Sequence, residues 1–224
     1  MHGRTFDHAV ENSRVLFRAA KAAGVRRVVH ISITNPSAAS PYEYFRGKAL
    51  VEQVLNESGL SHAILRPAVI FGDRGILINN IAWALRHMPV FGLFGDGAYG
   101  LQPIFVGDLA ELAIGLSRRD ENATIDAIGP ETFTYRSLVE AIAGAMKVRR
   151  PIVPMPPRTA LALVWALSKL LGDQIVTREE MWAMMDGLLC TSSPAAGTTR
   201  LTDWLSIHGD QLGHKYMSET AHRR

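Results

Sequence analysis

Tyr44 and Lys48, four residues apart in the run Tyr44-Phe45-Arg46-Gly47-Lys48, are the residues whose types and spacing most readily do chemistry. At the head of a helix, side chains at that spacing share one face. An ammonium beside a phenol favours the phenolate, lowering a pKa that starts at about 10. A tyrosine tuned in this way donates or takes a proton at a carbinol oxygen while a nicotinamide handles the hydride. The same pattern also fits a plain amphipathic helix start with a solvated lysine. The neighbouring elements have to decide.

Those elements alternate. Phe6 to Ala23 reads as an amphipathic helix with Val10, Leu16 and Phe17 on its apolar face, Thr5 or Asp7 as its cap and Gly24 as its stop. Val28-Val29-His30-Ile31-Ser32-Ile33 has the β-branched character of a strand buried in a parallel sheet. After a polar loop over 34–41, a helix from about Tyr44 to Ser58 ends at Gly59, and His62-Ala63-Ile64-Leu65-Arg66 forms the next strand. Helix and strand in alternation with short links define a right-handed parallel crossover sheet. Further helices are expected at 76–88, at Leu109–Leu116 behind a capping Asp108, and at Phe133–Met146, with a strand at Thr124–Ile128. The prolines at 151, 154, 156 and 157 mark a boundary, which divides the chain into 1–147 and a helical extension, 148–224. That extension holds an apolar helix around 158–171 and an acidic-start helix from about Thr177 to Leu189. The first fits either a packed helix or a membrane-interface helix with Arg158 and Lys169 snorkelling at its ends.

Composition narrows the function. The chain has 224 residues, 47% hydrophobic and 20% charged, which is ordinary globular usage and excludes wholesale disorder. One cysteine, Cys190, excludes an internal disulfide framework, and the eight histidines show no metal spacing. A net charge of +3 gives no nucleic-acid signal, and no stretch reaches the length of a membrane span. Arg223-Arg224 reads as a fraying end. Gly95-Asp96-Gly97-Ala98-Tyr99-Gly100 spells G-x-G-x-x-G but is succeeded by Leu101-Gln102-Pro103 and a strand-like run, so it reads as a turn.

Taken in order, the pieces resemble the short-chain dehydrogenase/reductase superfamily in its extended or atypical branch. Glu11-Asn12-Ser13, Val28-Val29-His30-Ile31-Ser32, Tyr44 with Lys48, Ile64-Leu65-Arg66-Pro67 and Phe105-Val106-Gly107-Asp108-Leu109-Ala110 carry the resemblance over residues 6–146. Within that branch the chain looks most like bacterial relatives of the nucleotide-binding accessory subunit of respiratory complex I, often described as NAD-dependent epimerases. The resemblance implies a partial Rossmann-like parallel sheet flanked by helices. It makes Tyr44 the general acid/base and Lys48 the residue that lowers its pKa and holds the nicotinamide ribose. It places the backbone at Pro67, Ala68 and Val69 along the carboxamide, with Ser32 or Thr34 as helper hydroxyl and Ile33 competing for the aligned position. The implied cofactor is NAD or NADP.

The departures shape the expectations. Val69 and Leu101 stand where nucleotide-sugar epimerases have an asparagine and a diphosphate-binding arginine, so the small-molecule substrate is not a nucleotide sugar. The family's glycine-rich cofactor turn and its flanking strands have no counterpart, which corresponds to roughly 70–80 residues upstream. Three readings are open: an NAD(P)-dependent oxidoreductase or epimerase-like protein read from an N-terminally truncated form, a non-catalytic NAD(P)-binding or respiratory-complex-associated assembly protein, or a chain that stands alone, binds no dinucleotide and aggregates, dimerises or borrows strands from a partner. A cytoplasmic location, a periphery at the inner membrane, contact with a respiratory complex and homo-oligomerisation through the open sheet edge are the matching expectations.

Overall fold

Ala63, Ile64 and Leu65 put apolar side chains on both sides of one pleat, and a strand of that kind is stable only when both faces are covered. In the computed structural model, which describes residues 6–218, they lie in β2 (His62–Pro67) at the centre of a parallel sheet. β1 (Val28–Ile31) flanks β2 on one side, with Val28 opposite His62, and β7 (Ala123–Ala127) on the other, with Ala63 opposite Ala123. α1 (Phe6–Ala22) and α2 (Glu43–Glu57) cover one face, packing Phe17, Val51, Val54 and Leu55 on Ile64. α4 (Val106–Ser117) covers the other, packing Leu109 and Leu116 on Ala63, Leu65 and Ala127. The α/β parallel-sheet architecture expected from the alternation is the one observed.

The larger core lies beyond this sheet. It joins β3 (Val69–Phe71), α3 (Ile76–His87), β4 (Phe91–Phe94), β5 (Gly100–Leu101), α5 (Tyr135–Ala145), α6 (Pro157–Leu171), α7 (Arg178–Met185) and α8 (Leu201–His208) around Phe71, Leu85, Leu138, Ile142 and Trp204. Three short pairings support it. β3 runs parallel to β6 (Pro103–Phe105), β4 parallel to β9 (Ile152–Met155), and β5 antiparallel to β8 (Phe133–Thr134).

Several boundaries differ from the sequence expectation for local reasons. β1 ends at Ile31, although its ladder continues: the Ser32 N–H donates to Leu65 C=O at 2.7 Å and the Thr34 N–H to Pro67 C=O at 3.1 Å. Leu16 is exposed while Phe17 is buried, because only one side of α1 meets α2. Thr5 lies outside the described residues, and Asp7 is in the first turn rather than before it. Gly24 and Gly59 take positive φ values of 71° and 70° and stop their helices as expected. Asp108 does not cap α4, which already starts at Val106; its carboxylate instead accepts the Thr198 and Thr199 N–H groups at 2.6 and 2.7 Å. α5 is capped by Thr134 with Ser137, and α7 by Thr177 with Glu180, where it ends at Met185 rather than Leu189.

Candidate functional site

α2 begins at Glu43, so Tyr44, Lys48 and Glu52 form an i, i+4, i+8 ladder turned towards the C-terminal half of β1. The helix can approach α1 closely because residue 47 is glycine: a Cβ there would come within 2.9 Å of the Phe6 ring. The Lys48 ammonium lies 5.8 Å from the Tyr44 ring centroid and donates to the Ile31 carbonyl at 3.0 Å. Burial pulls the Lys48 pKa below the ordinary lysine value, and the nearby Glu52 carboxylate partly offsets that.

Glu52 is itself buried and grips Arg66 of β2 through both carboxylate oxygens, Arg66 Nε donating at 3.0 Å. That hydrogen bond holds the Arg66 pKa above its ordinary value. His30 completes the cluster. Its Nε2 is buried and has no hydrogen-bond partner among the described residues. Burial, then the Lys48 charge, pushes the His30 pKa down, while Glu52 works the other way.

Tyr44 borders a cavity of about 710 Å³. Tyr42, Phe45, Ile33, Met184 and Leu189 also line it, and the carboxylates of Glu179 and Glu180 stand at its margin. Aromatic edges shape the wall, with Tyr44 edge-on to Phe45 at 5.8 Å and to Phe6 at 6.0 Å between centroids. Among the described residues no lysine or arginine lines the cavity, so these residues offer no side-chain clamp for a diphosphate. Tyr42 donates to the Asp186 carboxylate; burial first, then that hydrogen bond, raises its pKa to about 12.

The two hydroxyls expected beside Tyr44 are both buried. Ser32 is buried, and its Oγ has no partner among the described residues. The Thr34 hydroxyl, also buried, donates to the Leu188 carbonyl at 2.8 Å. The residue of this stretch that reaches the cavity is Ile33. Pro67 ends β2 with its carbonyl bonded to Thr34 N–H, Ala68 bridges the two strands, and Val69 opens β3.

Sequence reasoning missed the strap that holds this end of the sheet. Asn35, at a φ of 51°, donates from Nδ2 to the carbonyls of Leu188 and Cys190 at 3.0 and 2.8 Å. Thr191 and Ser193 donate to the Asp126 carboxylate at the end of β7, at 3.0 and 2.6 Å. Segment 188–193 therefore crosses the carboxyl ends of the strands, the edge where open α/β sheets hold ligands. The partners sit 65 to 155 residues apart, and no local pattern announces them.

One end of a nicotinamide dinucleotide would meet Tyr44 at the cavity edge, with the Lys48 ammonium beside it. Tyr44 and Lys48 would face the nicotinamide riboside, and the bound group would supply hydride chemistry there. Gly95–Gly100 does not serve its pyrophosphate: Gly95 and Gly97 take φ values of 62° and 74° in a turn between β4 and β5, with no helix after it. Among the described residues no group of three or more His, Cys, Asp or Glu could hold a metal ion.

A three-stranded parallel sheet with helices on both faces and a Tyr-Lys pair at its carboxyl end defines a Rossmann-like α/β protein. No family model matches the chain. It is 26% identical to the 40 kDa subunit of mitochondrial NADH-ubiquinone oxidoreductase of Neurospora crassa over 177 residues, 78% of this chain and 46% of that one. The fold resembles a nucleoside-diphosphate-sugar epimerase of Staphylococcus aureus, with a TM-score of 0.70 and 16% identity over 92% of this chain and 74% of that one. It also resembles the NADPH-dependent quinone oxidoreductase of Escherichia coli complexed with NADPH, with a TM-score of 0.67 and 20% identity over 87% and 70%. The chain is thus similar in sequence to subunits of mitochondrial NADH-ubiquinone oxidoreductase and shares its fold with an epimerase and a quinone oxidoreductase. It spans less than half the length of the curated relatives it matches.

Proposed function

We propose that the chain serves as an accessory or assembly component of a respiratory NADH dehydrogenase, keeping the nicotinamide end of the family's site for binding rather than turnover. The observation that carries this is Ile33 at the cavity wall beside Tyr44, with Ser32 sealed in the core and the Thr34 hydroxyl spent on Leu188. With Ser32 buried and the Thr34 hydroxyl held by Leu188, a substrate oxygen at Tyr44 lacks a free donor that would position it and relay its proton. Relatives that are subunits of mitochondrial NADH-ubiquinone oxidoreductase support the same reading. The quinone oxidoreductase complexed with NADPH, whose fold the chain shares, is in keeping with the nucleotide-binding part of that reading alone. A nucleotide sugar is a poor match beside Tyr44, since among the described residues the cavity lining carries carboxylates and no basic side chain.

The test is native electrophoresis of source membranes, together with NADH and NADPH oxidation by the purified protein over a panel of carbonyl compounds and quinones. Co-migration with the respiratory dehydrogenase, unchanged in Tyr44→Phe, and no turnover are expected. Robust oxidation that falls 100-fold or more in Tyr44→Phe, on the order of a general acid/base contribution, would replace this reading with the enzyme one.

A further inference from the structure

α6 has 15 residues, no acidic one, and only Ala160 buried. Its solvent side consists of two adjoining rows at helical spacing. One row is Arg158, Ala162, Trp165 and Lys169; the other is Thr159, Leu163, Ala166 and Leu170, and all eight are exposed. Leu163, Trp165 and Leu170 are 55%, 66% and 82% exposed, high values for side chains of this size. The helix is thus apolar on the side away from the core, with its cations confined to one row.

That row has a particular order. Arg158 and Lys169 bracket Trp165, and the Lys169 ammonium lies 5.9 Å from the Trp165 ring centroid. Arg178 and Trp182 of α7 share a crevice with Arg158 and Leu161, adding a third cation and a second indole. The carboxylates that follow α6 in sequence, up to the first turn of α7, each accept a hydrogen bond. Asp173 is buried and accepts the Tyr216 hydroxyl, Glu179 accepts the Glu43 N–H, and Glu180 accepts the Thr177 N–H. A leucine row beside a row of tryptophan and cations matches a bilayer surface: acyl chains under the leucines, headgroups beside the indole and the basic groups. Among the described residues no helix is long and apolar enough to cross a membrane, so the matching placement is flat on the surface.

We infer that α6 docks the protein on an anionic lipid bilayer, with Leu163, Ala166 and Leu170 in the acyl boundary and Arg158, Trp165 and Lys169 among the phosphates. The positive row and the absence of acid on the helix select an anionic bilayer over a neutral one. This deepens the accessory-component reading and rests on it for the choice of a respiratory membrane. The docking itself needs no respiratory complex.

The experiment is flotation of the full chain with phosphatidylcholine vesicles, with or without phosphatidylglycerol. Binding confined to the anionic vesicles and released by salt is expected. Arg158→Gln combined with Lys169→Gln should lower partitioning by about 30-fold, and Leu163→Ser combined with Leu170→Ser by more than about tenfold. All four positions are exposed, so circular dichroism and the thermal midpoint should stay unchanged and confirm folding. Brominated lipids should quench tryptophan emission in the wild type and quench it much less in Trp165→Phe. Absence of vesicle binding, equal binding to neutral vesicles, or no response to loss of the two cations would overturn the inference. Co-migration without vesicle binding would sink the docking alone; vesicle binding without co-migration would sink the accessory reading alone.

Discussion

α2 and α6 are equal in length and opposite in what they bury. α2 buries Phe45, Gly47, Val51, Glu52, Val54 and Leu55, a set that includes a charged residue. α6 is rich in leucine and tryptophan and buries only Ala160. Apolar content therefore does not set burial here; the neighbouring surface does. α2 is held between α1 and a two-sided strand, where even a carboxylate is drawn in once an arginine meets it. α6 lies on the rim of the large core, and one side of it has no protein cover among the described residues.

Truncating one leucine on each helix is the sharpest way to break this contrast. Leu55 is fully buried, and Leu55→Ala should destabilise the fold by about 3 kcal/mol through lost transfer energy and the cavity left behind. Leu170→Ala should move the urea midpoint by the equivalent of less than about 0.5 kcal/mol. Similar losses at the two positions would mean that α6 is covered in solution. The next effect in size is that of Glu52→Ala, expected at about 2 kcal/mol because it leaves Arg66 without its partner in a largely buried place. Arg66 keeps some access to water, which holds the loss below that of a fully sealed pair. Arg66→Met combined with Glu52→Met should recover most of it, and chemical denaturation of the three variants checks both statements.

The features legible in the sequence have a common cause. The parallel α/β order, the Tyr44–Lys48 face and the helix stops at Gly24 and Gly59 depend on spacing within a few residues. The literal glycine motif at 95–100 is readable as a turn for the same reason, since a strand and not a helix comes after it. The failures depend on distant partners. Asp108 looks like a cap to its own helix, yet its oxygens bind a segment about 90 residues away. The strap over 188–193, the Glu52–Arg66 pair and the entry of Ile33 rather than Ser32 into the cavity wall are all set by tertiary packing. The pattern puts Leu16 on the core side of α1 because it gives a stripe but not the width of the surface that covers it.

The smallest effect concerns His30 beside Lys48 and Glu52 of α2 and has a definite sign. His30 sits below the usual imidazole value of 6.5 because burial and the Lys48 charge disfavour its protonated form. Above that value the ring is neutral in both folded and unfolded chains, and its contribution to stability is fully present. As pH falls below it, the unfolded chain takes up a proton that the folded chain does not, so stability drops. The loss continues until the depressed folded pKa is reached and then levels off. In the wild type the urea midpoint should therefore decline as pH falls below about 6.5, by an amount that His30→Gln reduces. Glu52→Ala should steepen the same decline, because the carboxylate that supports the protonated ring is gone. The exposed face of α6, with no histidine, contributes nothing in that window. A decline that His30→Gln leaves untouched would place the titrating group elsewhere and detach His30 from the Lys48–Glu52 cluster.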